Sequence, residues 1–259
     1  MLDTFATGVI DLTFINGRSA QAVSLSAQHT SDQALALMGL LEPQPTLVII
    51  GGASLMSPDS LERLQTVFDQ VLAPLAQELH LAVLDGGTDA GVIHMMGKAR
   101  GRVGGDFPLI GVVPQGKAQL PNDDVEDNSR HALEPNHTNF FLIPGDDWGS
   151  ESPWLAELAS QLSNGQPTLT ILINGGKVAF TDLQANLAMG RPAVVLGGSG
   201  RLADIIAAAA GSTPHPETSP DVIDVLHTYQ PSGQLTVLNL AMPLGQLRDR
   251  IKPYFDPAP

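Results

Sequence analysis

Ala193-Val194-Val195-Leu196-Gly197-Gly198-Ser199-Gly200-Arg201-Leu202-Ala203-Asp204 is an apolar, β-branched run that breaks into a glycine-rich turn and opens onto a helical pattern. Strand, glycine turn and helix in succession is how α/β proteins hold phosphate. Glycine lets the backbone come close, and the N–H groups and positive dipole end of the helix attract anions. Arg201 adds a cation just inside the helix start. Three further glycine pairs also follow apolar runs: Gly51-Gly52, Gly86-Gly87 and Gly175-Gly176. Any one of them is explained by glycine's ease in tight turns. Four of them at one edge point to a ligand.

The rest of the chain supplies that edge. Gly8–Phe14 and Ala20–Leu25 read as extended and flank Asn16-Gly17, a hairpin signal. Ser31–Leu41 is predicted helical, with Ser31 or Asp32 as N-cap. Thr46–Ile50 is an apolar run suited to a buried parallel strand. Ser57-Pro58-Asp59 starts a helix whose apolar positions, from Leu61 to Leu75, follow helical spacing. Strands at Leu79–Leu84, Leu109–Val113, Phe140–Ile143, Thr168–Ile173 and Ala193–Leu196 alternate with helices at about Ala90–Arg100, Glu151–Leu162, Val178–Met189 and Arg201–Ala210. Residues 114–139 are the least regular stretch, and their acidic run 123–127 reads as a solvated loop. A polar, proline-rich linker, Gly211–Pro220, leads to a last helix and a strand at Leu235–Asn239.

This alternation predicts an α/β, Rossmann-like fold: a doubly wound, mainly parallel sheet with helices on both faces. No internal boundary is apparent. The expected organisation is a single domain over 1–259, with an extended N-terminal section (1–45) and a C-terminal extension (211–259). Ligands of such sheets sit beyond the carboxyl ends of the strands, where all four glycine turns fall.

Composition excludes several functions. The net charge is −14, with 13 Lys and Arg against 27 Asp and Glu, so no nucleic-acid partner is expected. Lys98, Arg100 and Arg102 are grouped only because they fall at a predicted helix C-terminus, where cations suit the dipole. Mean hydropathy is +0.08, yet no apolar segment approaches the roughly 20 residues that span a bilayer; the longest candidate, Leu202–Gly211, is interrupted by Asp204. Met1-Leu2-Asp3-Thr4 lacks the basic start and apolar core of a secretory signal. There is no cysteine, which rules out disulfides, thiolate metal sites and cysteine nucleophiles. A soluble cytoplasmic protein without a membrane partner is expected, and helices exposed on such sheets favour a homodimer.

The nucleotide signatures narrow the chemistry. No Gly-x-x-x-x-Gly-Lys-Ser/Thr is present, which leaves P-loop hydrolysis without support. Gly198-x-Gly200-x-x-Ala203 matches the dinucleotide spacing, but no acid follows at a second strand end about 20 residues on, as ribose binding in hydride-transfer enzymes requires. Asp85 and Asp89 flank the second turn, where they would repel a phosphate. A ribose hydroxyl, a bridging cation or helix capping would account for Asp85, and capping is expected for Asp89. His94 reads as packing. His137 reads as pinning the loop before the next strand. No set of metal ligands is evident, so neither a metal nor a cofactor is expected.

The ordered segments Leu47–Ala53, Asp85–Val92, Leu133–Leu142, Asn174–Gly176 and Gly197–Asp204 resemble the SLOG superfamily. Within it, the nearest branch is the LSDAT domain, best known as the N-terminal homology region of melastatin-type TRP channels. The most specific parts are Leu-Glu-Pro-Asn-His-Thr-Asn-Phe (133–140) and Gly-Ser-Gly-Arg-x-Ala-Asp (198–204), and the resemblance runs from about Gly8 to Gly211. No channel segment accompanies it here, as in a stand-alone prokaryotic version. The resemblance implies a pocket for a nucleotide-derived ligand, which in some channel members is ADP-ribose or a relative. By position, that pocket would use Gly52, Ala53 and Ser54, then Gly87, Thr88 and Gly91, then Gly175, Gly176 and Lys177, and last Gly198, Ser199, Gly200 and Arg201. Backbone N–H groups and Arg201 suit phosphate, with the Thr88 and Ser199 hydroxyls as further donors.

Phosphoribohydrolases of the same superfamily carry Pro-Gly-Gly-x-Gly-Thr-x-x-Glu with a catalytic glutamate. Here the matching stretch is Asn174-Gly175-Gly176-Lys177-Val178-Ala179-Phe180-Thr181-Asp182. It lacks the proline, the Gly-Thr pair and the glutamate, and Asp182 reads as a helix-terminus carboxylate. A module that binds or senses a nucleotide-derived molecule is therefore favoured over a hydrolase of its N-glycosidic or phosphate linkage.

Overall fold

The computed structural model describes residues 8–121, 123, 127–211 and 218–256. Nine strands form one sheet. In chain order the elements are β1 (Val9–Thr13), β2 (Ser19–Ser24), α1 (Ser31–Leu37), β3 (Thr46–Gly51), α2 (Pro58–Val67), α3 (Ala73–Glu78), β4 (Ala82–Asp85), α4 (Gly91–Val103) and β5 (Leu109–Pro114). A short parallel pair follows, β6 (Ala118–Gln119) with β7 (His131–Ala132). Then come β8 (Asn139–Ile143), α5 (Glu151–Ser163), β9 (Thr168–Ile173), α6 (Lys177–Ala188), β10 (Ala193–Gly197), α7 (Arg201–Ala210), α8 (Pro220–Tyr229), β11 (Leu235–Asn239) and α9 (Leu244–Ile251).

The main sheet has the order β1-β2-β8-β5-β4-β3-β9-β10-β11, parallel throughout except for the β1–β2 hairpin that Asn16-Gly17 closes. The predicted doubly wound fold is what the chain adopts. Along β3, Leu47 and Ile49 pack under α2, α3, α4 and α9, while Val48 and Ile50 pack under α1, α5, α6, α7 and α8. A strand buried on both faces needs such an unbroken apolar run. A third cluster, including Leu12, Phe14 and Phe140, lies under the hairpin.

Local physics moves some boundaries. α1 is capped by Thr30 rather than Ser31 or Asp32, because the Thr30 hydroxyl and the Gln33 side chain close a reciprocal capping box. It ends at Leu37 because Gly39 takes a left-handed conformation (φ +68°). The long helix after Ser57 is continuous to Glu78 but passes through a π turn at Phe68–Leu72. Pro74 follows directly, and a widened turn accommodates its missing N–H and bulky ring. Within the irregular stretch 114–139, Asn122 and residues 124–126 of the acidic run lie outside the described residues, as do 212–217 of the linker and the N-terminal tetrapeptide.

Topology fixes where a ligand can go. From β3 the chain steps outward through β4, β5 and β8, then returns to the other side of β3 as β9 and continues to β10 and β11. The winding reverses between β3 and β9, so a crevice opens beyond their carboxyl ends. At that point Gly51 pairs with Ile173, and a Cβ on Gly51 (φ +130°) would stand 1.8 Å from the Ile173 carbonyl oxygen. Only glycine permits this approach.

Candidate functional site

A cleft of about 500 Å³ occupies that crevice. Its walls come from the turn after β3 (Gly51–Ser54), the turn after β4 (Gly86, Thr88, Ala90, Gly91), the head of α5 with the preceding Trp148, and the turn after β9 running into α6 (Gly175–Ala179, Asp182). Arg201 enters from the head of α7. The glycine turns do lie along one edge of the sheet, at the carboxyl ends of β3, β4, β9 and β10.

Asn174 ties three of the turns together. Wholly buried and left-handed (φ +53°), it donates its backbone N–H to the Ser199 hydroxyl at 2.7 Å. Its amide nitrogen donates to the carbonyls of Ser54 and Ser199 at 3.1 and 2.7 Å, and its amide oxygen accepts from Gly175 N–H at 2.8 Å. The N–H groups of Leu202 and Ala203 donate to the Gly175 and Asn174 carbonyls. The Gly197–Arg201 turn is therefore tied to the neighbouring one, and its own Gly198 N–H is taken by the Asp204 carboxylate. What it offers the cleft is the Arg201 side chain.

That side chain is held by backbone geometry. Arg201 is left-handed (φ +48°), an arrangement costing roughly 1–2 kcal/mol for a residue with a Cβ. Its guanidinium lies over Gly176, where a Cβ would meet a guanidinium nitrogen at 2.6 Å. Lys177 stands beside it as the first residue of α6. Among the described residues neither cation has a hydrogen-bond or ion-pair partner, whereas Arg102, Arg130, Arg248 and Lys252 each meet a carboxylate. α4 and α6 begin at the cleft with no side-chain cap. α1, α2 and α8, away from it or at its margin, are capped by Thr30, Ser57 and Ser219. The first-turn N–H groups of α6 are thus left to the cleft, beside two unpaired cations.

Two buried carboxylates face the same space. Asp182 sits inside α6, not at its end, so its reading as a helix-terminus carboxylate is corrected. Burial pushes it up to about 7; the Ser152 hydroxyl, donating at 2.5 Å, opposes this and the charge of Glu151 reinforces it. Glu151, the first residue of α5, accepts from Gly149 N–H at 2.7 Å and is likewise raised by burial. Trp148, 39% exposed, stands at the rim with its ring 5.3 Å from that of His131.

The turn after β4 is built differently. Asp85, fully buried, accepts from Gly87 N–H at 2.8 Å and contacts His137 Nε2 at 2.9 Å. The other ring nitrogen of His137 lies 2.9 Å from Glu134, which also accepts from the Asn136 backbone and side chain. Burial alone would lower His137, but the two carboxylates outweigh it and raise it to about 9, while Glu134 is lowered in return. His137 pins the loop before β8, as its position in the sequence implies. Asp89 does not cap α4, whose N-cap is Ala90; it pairs with His94 at 2.5 Å. Asp89, His94 and Glu134 bring their ligating atoms within 4.8 Å of one another, but Glu134 is already engaged by Asn136 and His137.

Of the residues singled out in the sequence, Gly52, Ala53, Ser54, Thr88, Gly91, Gly175, Gly176, Lys177 and Arg201 line the cleft. Gly87, Gly198, Ser199 and Gly200 do not. The Gly87 N–H is taken by Asp85, and the Ser199 hydroxyl donates to the Leu196 carbonyl while accepting from Asn174, so neither is a free donor. Sequence reasoning missed Trp148, Glu151 and the knitting role of Asn174. Only Asn174 carried a signal, a polar residue at a strand end immediately before a glycine pair.

Known proteins share parts of this sequence and fold. Rat (Rattus norvegicus) transient receptor potential cation channel subfamily M member 2 is 25% identical over 250 residues, covering 81% of this chain and 16% of the channel. The subfamily M member-like 2 channel of Nematostella vectensis is 25% identical over 258 residues, with the same coverages. The chain thus spans about a sixth of the length of these relatives. The X-ray structure of TM1055, a structural-genomics target, superposes with a TM-score of 0.49 at 16% identity, over 81% of this chain and 99% of that one. Among the described residues no helix is long and apolar enough to cross a membrane. The model of the family described as "SLOG in TRPM, prokaryote" matches residues 44–242, and the chain belongs to that family.

Proposed function

We propose that the cleft binds a nucleotide-derived small molecule, related to ADP-ribose or NAD, with a phosphate at the Gly175–Lys177 turn under Arg201. The observation that carries this is the pair of unpartnered cations, Lys177 and Arg201, beside an uncapped helix start in a chain of net charge −14. A charged hydrogen bond to phosphate is the favourable use of such an arrangement. Trp148 offers a face for a base, and Glu151 with Asp182 offers acceptors for ribose hydroxyls. A thermal-unfolding panel of AMP, ADP, ADP-ribose, cyclic ADP-ribose and NAD tests the reading. A ligand at 100 times its Kd stabilises the fold by about 2.7 kcal/mol, and a panel in which nothing shifts contradicts it.

A second reading is favoured by the carboxylate pair. Asp182, held near neutrality beside Glu151, has the properties of a general acid for cleaving an N-glycosidic bond. Product analysis of any stabilising ligand separates the two readings. Binding without turnover supports the sensor; release of base, abolished by Asp182→Asn, supports the hydrolase.

A further inference from the structure

A second cavity, of about 440 Å³, opens on the other side of the cationic wall and shares Gly175, Gly176, Lys177 and Arg201 with the cleft. Among the described residues its remaining lining is of the opposite character: Leu55, Phe180, Leu202, Ile205 and Val222, with Ser219 the one polar side chain. No carboxylate among the described residues lines it, in contrast to Glu151 and Asp182 in the first cavity. Each volume is large enough for one nucleoside-sized group.

Leu55 marks this second lobe. It is held left-handed (φ +63°) with its side chain 93% exposed, a costly backbone state spent on presenting an apolar group to solvent. The turn carrying it is fastened by the Asn174 amide donating to the Ser54 carbonyl, so its position is built in.

We infer that the ligand straddles Arg201: a phosphate diester or anhydride, flanked on one side by a nucleoside in the polar lobe and on the other by a second group whose flat ring fills the apolar lobe. This rests on the phosphate reading above and narrows it to dinucleotides. A phosphate monoester would leave the apolar lobe unfilled. ADP-ribose carries the second sugar but no ring beyond it, and leaves Phe180, Ile205 and Val222 without a flat apolar partner.

Calorimetric titration of AMP, ADP, ADP-ribose and NAD against the full chain tests the inference. NAD is expected to bind roughly tenfold or more tighter than ADP, the return for burying a ring, with ADP-ribose between them. Leu55→Asn keeps a residue that tolerates the left-handed region and removes the apolar rim; Phe180→Ala removes a wall. Each should weaken NAD by about fivefold, the loss of part of that apolar contact, and leave ADP within twofold. Arg201→Ala should weaken ADP and NAD alike. If ADP and NAD bind equally and Arg201→Ala weakens both, the phosphate site stands and the two-lobed ligand falls. The two-lobed ligand falls as well if NAD is preferred but neither lobe variant changes the preference. If none of the four binds, the phosphate site itself falls.

Discussion

The glycine turns after β4 and after β9 look alike in sequence, and the fold puts them to opposite uses. The turn after β4 folds back on acid: Asp85 takes the Gly87 N–H and is itself held by a histidine shared with Glu134. The turn after β9 folds back on an amide, Asn174, and leaves the first-turn N–H groups of α6 beside Lys177 and Arg201. One is sealed and negative; the other is open and positive. Glycine spacing marks where backbone can approach a ligand. Which ligand is decided by what already occupies the turn's donors.

The largest effect that would break this contrast lies in the sealed turn. His137→Ala strands two buried carboxylates without their shared cation, and removing one partner of a buried ion pair costs about 3–5 kcal/mol. Denaturant unfolding should show that loss, and a loss below about 1 kcal/mol would mean the network is not what holds the β4 turn. The same pairing sets a pH window. His137 is raised from 6.5 to about 9, so its stabilisation is complete below pH 6.5 and fades as pH climbs through 9. Stability of the wild type should fall across that window, and His137→Ala should lose that part of the slope.

At the open turn the effects fall on binding. Arg201→Ala should weaken a phosphate-bearing ligand by about 1.5–3 kcal/mol, the range for a hydrogen bond to a charged group. Its unfolding midpoint should hardly move, because the side chain is exposed and unpaired. Gly176→Ala places a Cβ against the guanidinium at a residue whose own φ is ordinary for any side chain, so the chain folds while Arg201 shifts. It should reproduce part of the Arg201→Ala loss and add little to it in the double variant, since the two act on one contact. Lys177→Ala, an exposed charge with freer rotamers, should cost about 0.5–1 kcal/mol. If it cost more than Arg201→Ala, the order of the two cations would be reversed.

The sheet was legible because its signals are dense and local. Leu47–Ile50, buried on both faces, must be uniformly apolar, and strand-turn-helix punctuation by glycine pairs repeats four times. The site was half legible for a physical reason. Backbone approach is written in glycines, but commitment of donors is written in residues distant in sequence: Ser199 satisfies Asn174, 25 residues away, and His137 reaches Asp85 across 52. Asp182 was misplaced because a carboxylate nine residues past a strand end says nothing about whether α6 turns it toward solvent or cleft. Glu151 and Trp148 carry no motif at all; only the packing of α5 beside α6 brings them to the crevice.

The most direct test is the crystal structure of the protein with the tightest-binding member of the nucleotide panel. A phosphate is expected within hydrogen-bonding distance of the Gly176–Lys177 backbone and the Arg201 guanidinium. A phosphate seated on the Gly86–Thr88 turn, or a ligand bound outside the crevice between β3 and β9, would contradict that placement.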